Sequence, residues 1–245
     1  MIEDNKDVLV YLASCLEGDY HLEFAANGQE GVDQALEIVP DIIISDIMMP
    51  ERDGYEVCET LKEDIRTSHI PIILLTAKAD QDSRIAGLKS GADAYLAKPF
   101  DKAELNVRLE KLLELRRRLQ ARYGNPDAVA QREEATMSKE DLFLRNLRKI
   151  IEENLSDESF GIAQLCRKIG LSRSQLHNKL KALTGQSTSI YIRAIRLEKA
   201  KELPRNTDLN ISEVAYEVGF RTPLYFTQVF TEEAGLSPSG FRIAK

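Results

Sequence analysis

Asp41-Ile42-Ile43-Ile44-Ser45-Asp46-Ile47-Met48 is a short, nearly continuous apolar run with a carboxylate near its end, and Ile70-Pro71-Ile72-Ile73-Leu74-Leu75 is a second. Such runs fill a parallel sheet covered on both faces, where neither side of a strand meets water. Outward from them, helical periodicity recurs at about residues 5–17, 28–39, 54–64, 80–90 and 101–120. A weaker strand is expected at His21-Leu22-Glu23-Phe24-Ala25 and a fifth at Ala94-Tyr95-Leu96-Ala97. This β-α alternation predicts an α/β fold with a doubly wound parallel sheet over residues 1–118.

The chain has 245 residues, enough for a second domain. Its 43% hydrophobic content can bury real cores, and no apolar run approaches the roughly 18 residues of a membrane span. The opening Met1-Ile2-Glu3-Asp4-Asn5 is acidic and unlike a secretory signal, so the reading is a soluble, cytoplasmic chain without membrane contact. Cys15, Cys58 and Cys166 are far apart and odd in number, which predicts buried thiols and neither a disulfide framework nor a metal cluster. The net charge of -7 divides unevenly: residues 1–137 carry -11 and the remainder +4. An acidic half followed by a basic one suggests a regulator attached to a polyanion binder.

In a parallel α/β sheet, ligands sit beyond the carboxyl ends of the strands. Four such ends carry Glu3 with Asp4, Asp46, Thr76 and Lys98. Clustered carboxylates repel one another unless a hard cation such as Mg2+ satisfies them. Thr76 can donate to a phosphoryl oxygen and Lys98 can neutralise another, which suits phosphoryl transfer.

At these residues the chain resembles the receiver domains of two-component response regulators, over about residues 1–118. The likeness lies in Glu3-Asp4, Ser45-Asp46-Ile47-Met48-Met49-Pro50 with Asp53-Gly54, Leu75-Thr76-Ala77, Gly91-Ala92-Asp93-Ala94-Tyr95 and Lys98-Pro99-Phe100. It implies a flavodoxin-like sheet in the order 2-1-3-4-5, with Asp46 as phosphoacceptor. It also implies Mg2+ held by Glu3, Asp4, Asp46 and the Met48 carbonyl, phosphoryl contacts from Thr76, Ala77 and Lys98, and a switch pair of Thr76 and Tyr95. A cis Lys98-Pro99 peptide is expected, since that isomer is nearly restricted to X-Pro bonds. The chain departs from the family at its start, where only Met1-Ile2 stand in place of a full first strand. That truncation is expected to leave backbone groups unpaired in mid-sheet, and the chain reads as the tail of a longer protein, a hybrid sensor kinase.

Residues 119–137 turn polar around Gly124-Asn125-Pro126 and read as a linker. Residues 138–245 read as all helix and contain a repeat. Ile162, Leu165, Cys166, Ile169, Gly170 and Leu171 return 49 positions later as Ile211, Val214, Ala215, Val218, Gly219 and Phe220. After one inserted residue, Leu176, Leu180 and Gly185 return as Phe226, Phe230 and Gly235. Each copy is a helix, a Gly turn needing positive φ, and a second helix opened by Ser172 or Thr222 as N-cap and closed by Gly, which is the pattern of a helix-turn-helix.

The segment resembles the AraC/XylS family in Phe160-Gly161-Ile162-Ala163-Gln164-Leu165, Leu171-Ser172-Arg173-Ser174-Gln175-Leu176, Ile195-Arg196-Leu197-Glu198-Lys199-Ala200 and Gly235-Leu236-Ser237-Pro238-Ser239-Gly240-Phe241-Arg242. The resemblance implies two recognition helices in successive major grooves of DNA. Base readout is expected from Arg173, Ser174, His177 and Asn178 in the first unit and from Arg221, Leu224, Tyr225 and Gln228 in the second, with Lys179, Lys181 and Arg196 on phosphates. Thr231-Glu232-Glu233 stands where relatives often carry lysines, so the first unit should dominate affinity. Pro204 is expected to end the connecting helix of about 187–203 early.

Joined, the halves read as a phosphorylation-regulated transcription factor and not a metabolic enzyme. A histidine kinase or phosphotransfer domain would phosphorylate Asp46 and promote homodimerisation and DNA binding. Two alternatives stay open: a phosphorylation-independent DNA binder with a scaffold receiver, and a phosphorelay or sink protein whose helical tail binds protein.

Overall fold

The computed structural model describes residues 1–77, 91–124, 137–157, 159–206 and 209–243, with backbone alone at 203–206. The expected helix at 80–90 and most of the expected linker lie outside the described residues. The described residues group into two compact units, one within 1–124 together with 174–185, the other within 125–173 together with 186–245.

In the first unit, α1 (Lys6–Leu16), α2 (Gly28–Ile38), β1 (Ile43–Asp46), α3 (Gly54–Glu63), β2 (Ile72–Thr76), β3 (Ala94–Ala97) and α4 (Lys102–Tyr123) follow in chain order. The strands form a parallel sheet in the order β1-β2-β3, with Asp46 opposite Leu75 and Thr76 opposite Ala97. β1 is buried along its whole length, as its apolar run requires. Its two faces belong to different cores: Ile43 and Ile47 pack with Val57, Leu61 and Leu74, whereas Ile44 packs with Leu12, Leu75, Leu105 and Leu109. Each such fully buried Leu or Ile contributes about 2 kcal/mol.

At the short start of the chain, Ile2 is paired on both sides. Ile2 bridges Ala25 on one side and Ser45 on the other, both in parallel. Ile2 N donates to Ile44 O at 2.9 Å and Asp46 N to Ile2 O at 2.9 Å, while Ala25 N donates to Met1 O at 2.9 Å. Glu3 N adds a bond to Ala25 O at 3.1 Å, and beside this short start a cavity of about 680 Å³ is lined by Leu22, Ile42 and Ile43. The strand expected at 21–25 is correspondingly reduced to the single bridge at Ala25, because Ile2 offers it no longer partner. α4 runs three residues beyond its expected end, to the buried Tyr123, with Gly124 at its C-cap.

The second unit contains α5 (Lys139–Glu152), α6 (Ile162–Ile169), α8 (Thr188–Asn206), α9 (Ile211–Glu217), α10 (Pro223–Ala234) and α11 (Pro238–Ile243). α7 (Arg173–Thr184) lies almost wholly in the first unit. Capping boxes at Ser138–Asp141 and Asn210–Glu213 satisfy the first N–H groups of α5 and α9. Arg148 joins α5 to α8 through Glu198 at 3.1 Å and pairs within α5 with Glu152 at 2.9 Å. α8 includes Pro204 and extends two residues past it, contrary to expectation, since a proline in a last turn removes one donor without stopping the backbone. The three cysteines are buried, as expected. Among the described residues no helix is long and apolar enough to cross a membrane.

Candidate acidic site and nucleic-acid interface

Because the strands are parallel, their carboxyl ends share one edge. β1 ends on Asp46, β2 on Thr76, and β3 is followed at once by Lys98, whose N–H donates to Thr76 O at 2.7 Å. The Ile2 bridges place Glu3 and Asp4 beside them. Carboxylate oxygens of Glu3, Asp4 and Asp46 lie within 4.8 Å of one another, with Glu3 and Asp46 buried and Asp4 exposed. Lys98 Nζ lies 2.8 Å from Glu3 Oε2 and 2.9 Å from Asp46 Oδ1.

Burial raises the Glu3 carboxyl above its ordinary value, against the hydrogen bond from Lys98. Burial also works against the Lys98 ammonium, but the carboxylates it touches outweigh that and hold it above the usual lysine value. One cation among three carboxylates leaves net negative charge and hard oxygen donors, a set that fits Mg2+.

Glycine and capping chemistry keep this edge open. A Cβ on Gly54 would stand 2.2 Å from Asp46 O, so only glycine lets α3 begin so close to the end of β1. The neighbouring Asp53 caps α3 in a reciprocal box with Glu56. Asp53-Gly54 belongs to the receiver likeness, and the spacing Asp53…Glu56 is the sequence signal of this cap. Of the other expected residues, Met48 is 75% exposed, Thr76 is half-buried and Ala77 exposed. Tyr95 packs half-buried against the core that contains Val57 and Leu61. The Lys98-Pro99 peptide is cis, as expected.

The turn glycines of both helix-turn-helix copies take positive φ, 75° at Gly170 and 80° at Gly219. The helix-closing Gly185 and Gly235 do so at 74° and 72°. Thr222 occupies the N-cap of α10 but its side chain makes no capping bond; Pro223 follows at the first helical position, where no donor is needed. The inward face of α10 is an aromatic stack. Phe226 lies 5.2 Å from Phe220 and 5.5 Å from Phe230, which lies 5.5 Å from Phe241. Its outward face presents Arg221, just ahead of the helix, Leu224, Tyr225 and Gln228, all exposed. Arg193 of α8, absent from the expected contact residues, donates to Tyr225 Oη at 3.3 Å.

The expected residues of α7 are divided. Arg173, Ser174 and Lys181 are exposed; His177 and Asn178 are half-buried. Within the first unit Asn178 Nδ2 donates to Ile38 O at 2.8 Å. Lys179 is buried, its Nζ 3.4 Å from Ser68 Oγ, so here it is not presented to a phosphate. Arg196 is also turned inward, donating to Phe160 O at 3.0 Å, and burial holds it below the ordinary arginine value. In this structure Lys179 Nζ faces the Ser68 hydroxyl and one Arg196 nitrogen the Phe160 carbonyl.

Residues 1–110 match the response regulator receiver domain family, and residues 165–244 match a helix-turn-helix domain family. The chain is 37% identical over 242 residues to Histidine kinase P4 of Formosa agariphila, an alignment covering 99% of this chain and 18% of that protein. It is 39% identical over 115 residues to Response regulator Rre1 of Synechocystis, covering 46% of this chain and 50% of that protein. The chain therefore spans at most half of these relatives. Among solved structures it resembles the receiver domain of a signal transduction histidine kinase from Syntrophus aciditrophicus, at 37% identity and TM-score 0.44, covering 46% of this chain and 86% of that one. It is also similar to the receiver domain of a Pseudomonas aeruginosa sensor histidine kinase with magnesium coordinated in its active-site cleft, at 32% identity and TM-score 0.44, covering 46% and 93%.

Proposed function

Since the chain joins a response regulator receiver domain to a helix-turn-helix domain of the AraC type, we propose that it is a two-component transcription regulator switched by phosphorylation of Asp46. The observation that carries this is the convergence of three carboxylates on one sheet edge with Lys98 touching two of them. An Asp46 oxygen attacks the phosphorus of a phosphohistidine on a kinase or phosphotransfer domain. The P–N bond breaks, an acyl phosphate forms, and the histidine leaves with a proton. Glu3, Asp4, Asp46 and the Met48 carbonyl would hold Mg2+, which when bound supplies charge neutralisation to the phosphoryl oxygens.

Lys98 exchanges one carboxylate partner for a phosphoryl oxygen, and the Thr76 hydroxyl and Ala77 N–H donate to others. Drawing Thr76 inward opens room for Tyr95 to turn, which favours one of two surfaces around β3 and α4. That surface pairs two receivers, and the paired chains engage two DNA sites with avidity, in the cytoplasm where kinase and DNA both lie. Base contacts fall to Arg173, Ser174, His177, Asn178, Arg221, Leu224, Tyr225 and Gln228, with Lys181 on phosphate and the two recognition helices in successive major grooves.

The test is incubation with acetyl phosphate and Mg2+ followed by intact mass spectrometry. Wild type should gain one phosphoryl group and Asp46→Ala none; an unmodified wild type, or an adduct kept by the variant, would refute the assignment.

A further inference from the structure

The outward face of α10 carries a large apolar residue that the core does not use. Leu224 lies in the first turn of α10 and is 83% exposed. It follows Arg221 by three positions and precedes Gln228 by four, a spacing that puts Leu224 and Gln228 on one helix face. The opposite face, with Phe226, Val229 and Phe230 buried, fixes that orientation. Beside it the Tyr225 ring stands 6.1 Å from the Phe220 ring, and its hydroxyl accepts from Arg193. At the far end of the helix Thr231, Glu232 and Glu233 are exposed. Two carboxylates there repel phosphates, whereas Arg221 and Arg193 at the near end attract them, which favours approach of a duplex at the Leu224 end.

An apolar side chain gains nothing from a phosphate or from base amino and carbonyl groups. On the floor of the major groove its partner is the C5-methyl of thymine. We infer that Leu224 reads a thymine methyl in the half-site bound by α9 and α10, an inference that rests on the DNA-binding reading above.

The experiment uses the full chain treated with acetyl phosphate. Duplexes are selected from a random-sequence pool, and each thymine of the winning site is then replaced by deoxyuridine, which removes the methyl alone. Wild type should lose about three- to tenfold in affinity at one position of the second half-site, the scale of one buried methyl against DNA. Leu224→Ala, which alters an exposed side chain and keeps the unfolding midpoint, should bind the thymine and deoxyuridine sites equally. Indifference of the wild type to every replacement, or an undiminished deoxyuridine penalty in Leu224→Ala, overturns the inference while leaving DNA binding intact. Failure to select any duplex overturns both readings.

Discussion

Lys98 touches Glu3 and Asp46 at once, so removing it strands a carboxylate that is 1% exposed. Lys98→Met should lower stability by about 3 kcal/mol in urea unfolding, because the lost partner leaves buried charge uncompensated. Adding Glu3→Gln should recover much of that stability, yet phosphoryl uptake should stay absent; uptake equal to wild type would remove Lys98 from the proposed chemistry. These residues were legible because strand ends can be read from apolar runs, and parallel strands bring their ends together whatever lies between. Lys179 and Arg196 were not. Both are cations on helices of otherwise suitable character, and what turned them inward is a hydroxyl from a distant segment in one case and the carbonyl of Phe160 in the other. Arg196 does stand between Ile195 and Leu197, both buried, a flanking pattern that could have warned of it.

Among the elements, the two turn glycines look equivalent in sequence and are not. A Cβ on Gly219 would stand 2.2 Å from the Leu155 carbonyl and 2.9 Å from the Arg196 guanidinium, whereas one on Gly170 meets nothing within 4 Å. Gly170→Ala should cost about 1 kcal/mol, the strain of a left-handed residue alone. Gly219→Ala should cost more than about 3 kcal/mol because backbone must move as well. Thermal unfolding of both variants separates the cases, and equal losses would mean that Leu155 yields freely. Repeat periodicity revealed the glycines and their φ, but packing against Leu155 has no sequence signature. The same limit applies to the strand expected at 21–25: its composition permits a strand, and the number of paired residues is set by the two that Met1 and Ile2 supply.

For the whole molecule, the uneven charge of the two halves was readable from residue counts alone, and it matches a receiver joined to a helix-turn-helix domain. The coupling between them is testable. With acetyl phosphate and Mg2+ the mass measured by light scattering should double and DNA affinity should rise at least about tenfold, both absent in Asp46→Ala. Affinity should fall with salt, with a log–log slope of about −0.9 for each phosphate contacted. Arg196→Ala should leave that slope unchanged while lowering the unfolding temperature, since its guanidinium is committed to Phe160. A doubled mass with unaltered DNA affinity would favour the receiver as a scaffold for a phosphorylation-independent binder.

The aromatic stack under α10 and the bare row above it divide the labour of inheritance. Phe226 and Phe230 hold the helix from beneath, while Arg221, Leu224 and Gln228 hold nothing up. Substitutions in that row change stability by little. On the proposed DNA-binding reading, single steps in that row alter the sequence bound while leaving the fold intact, whereas a side chain at Gly54 or Gly219 would meet backbone at 2.2 Å.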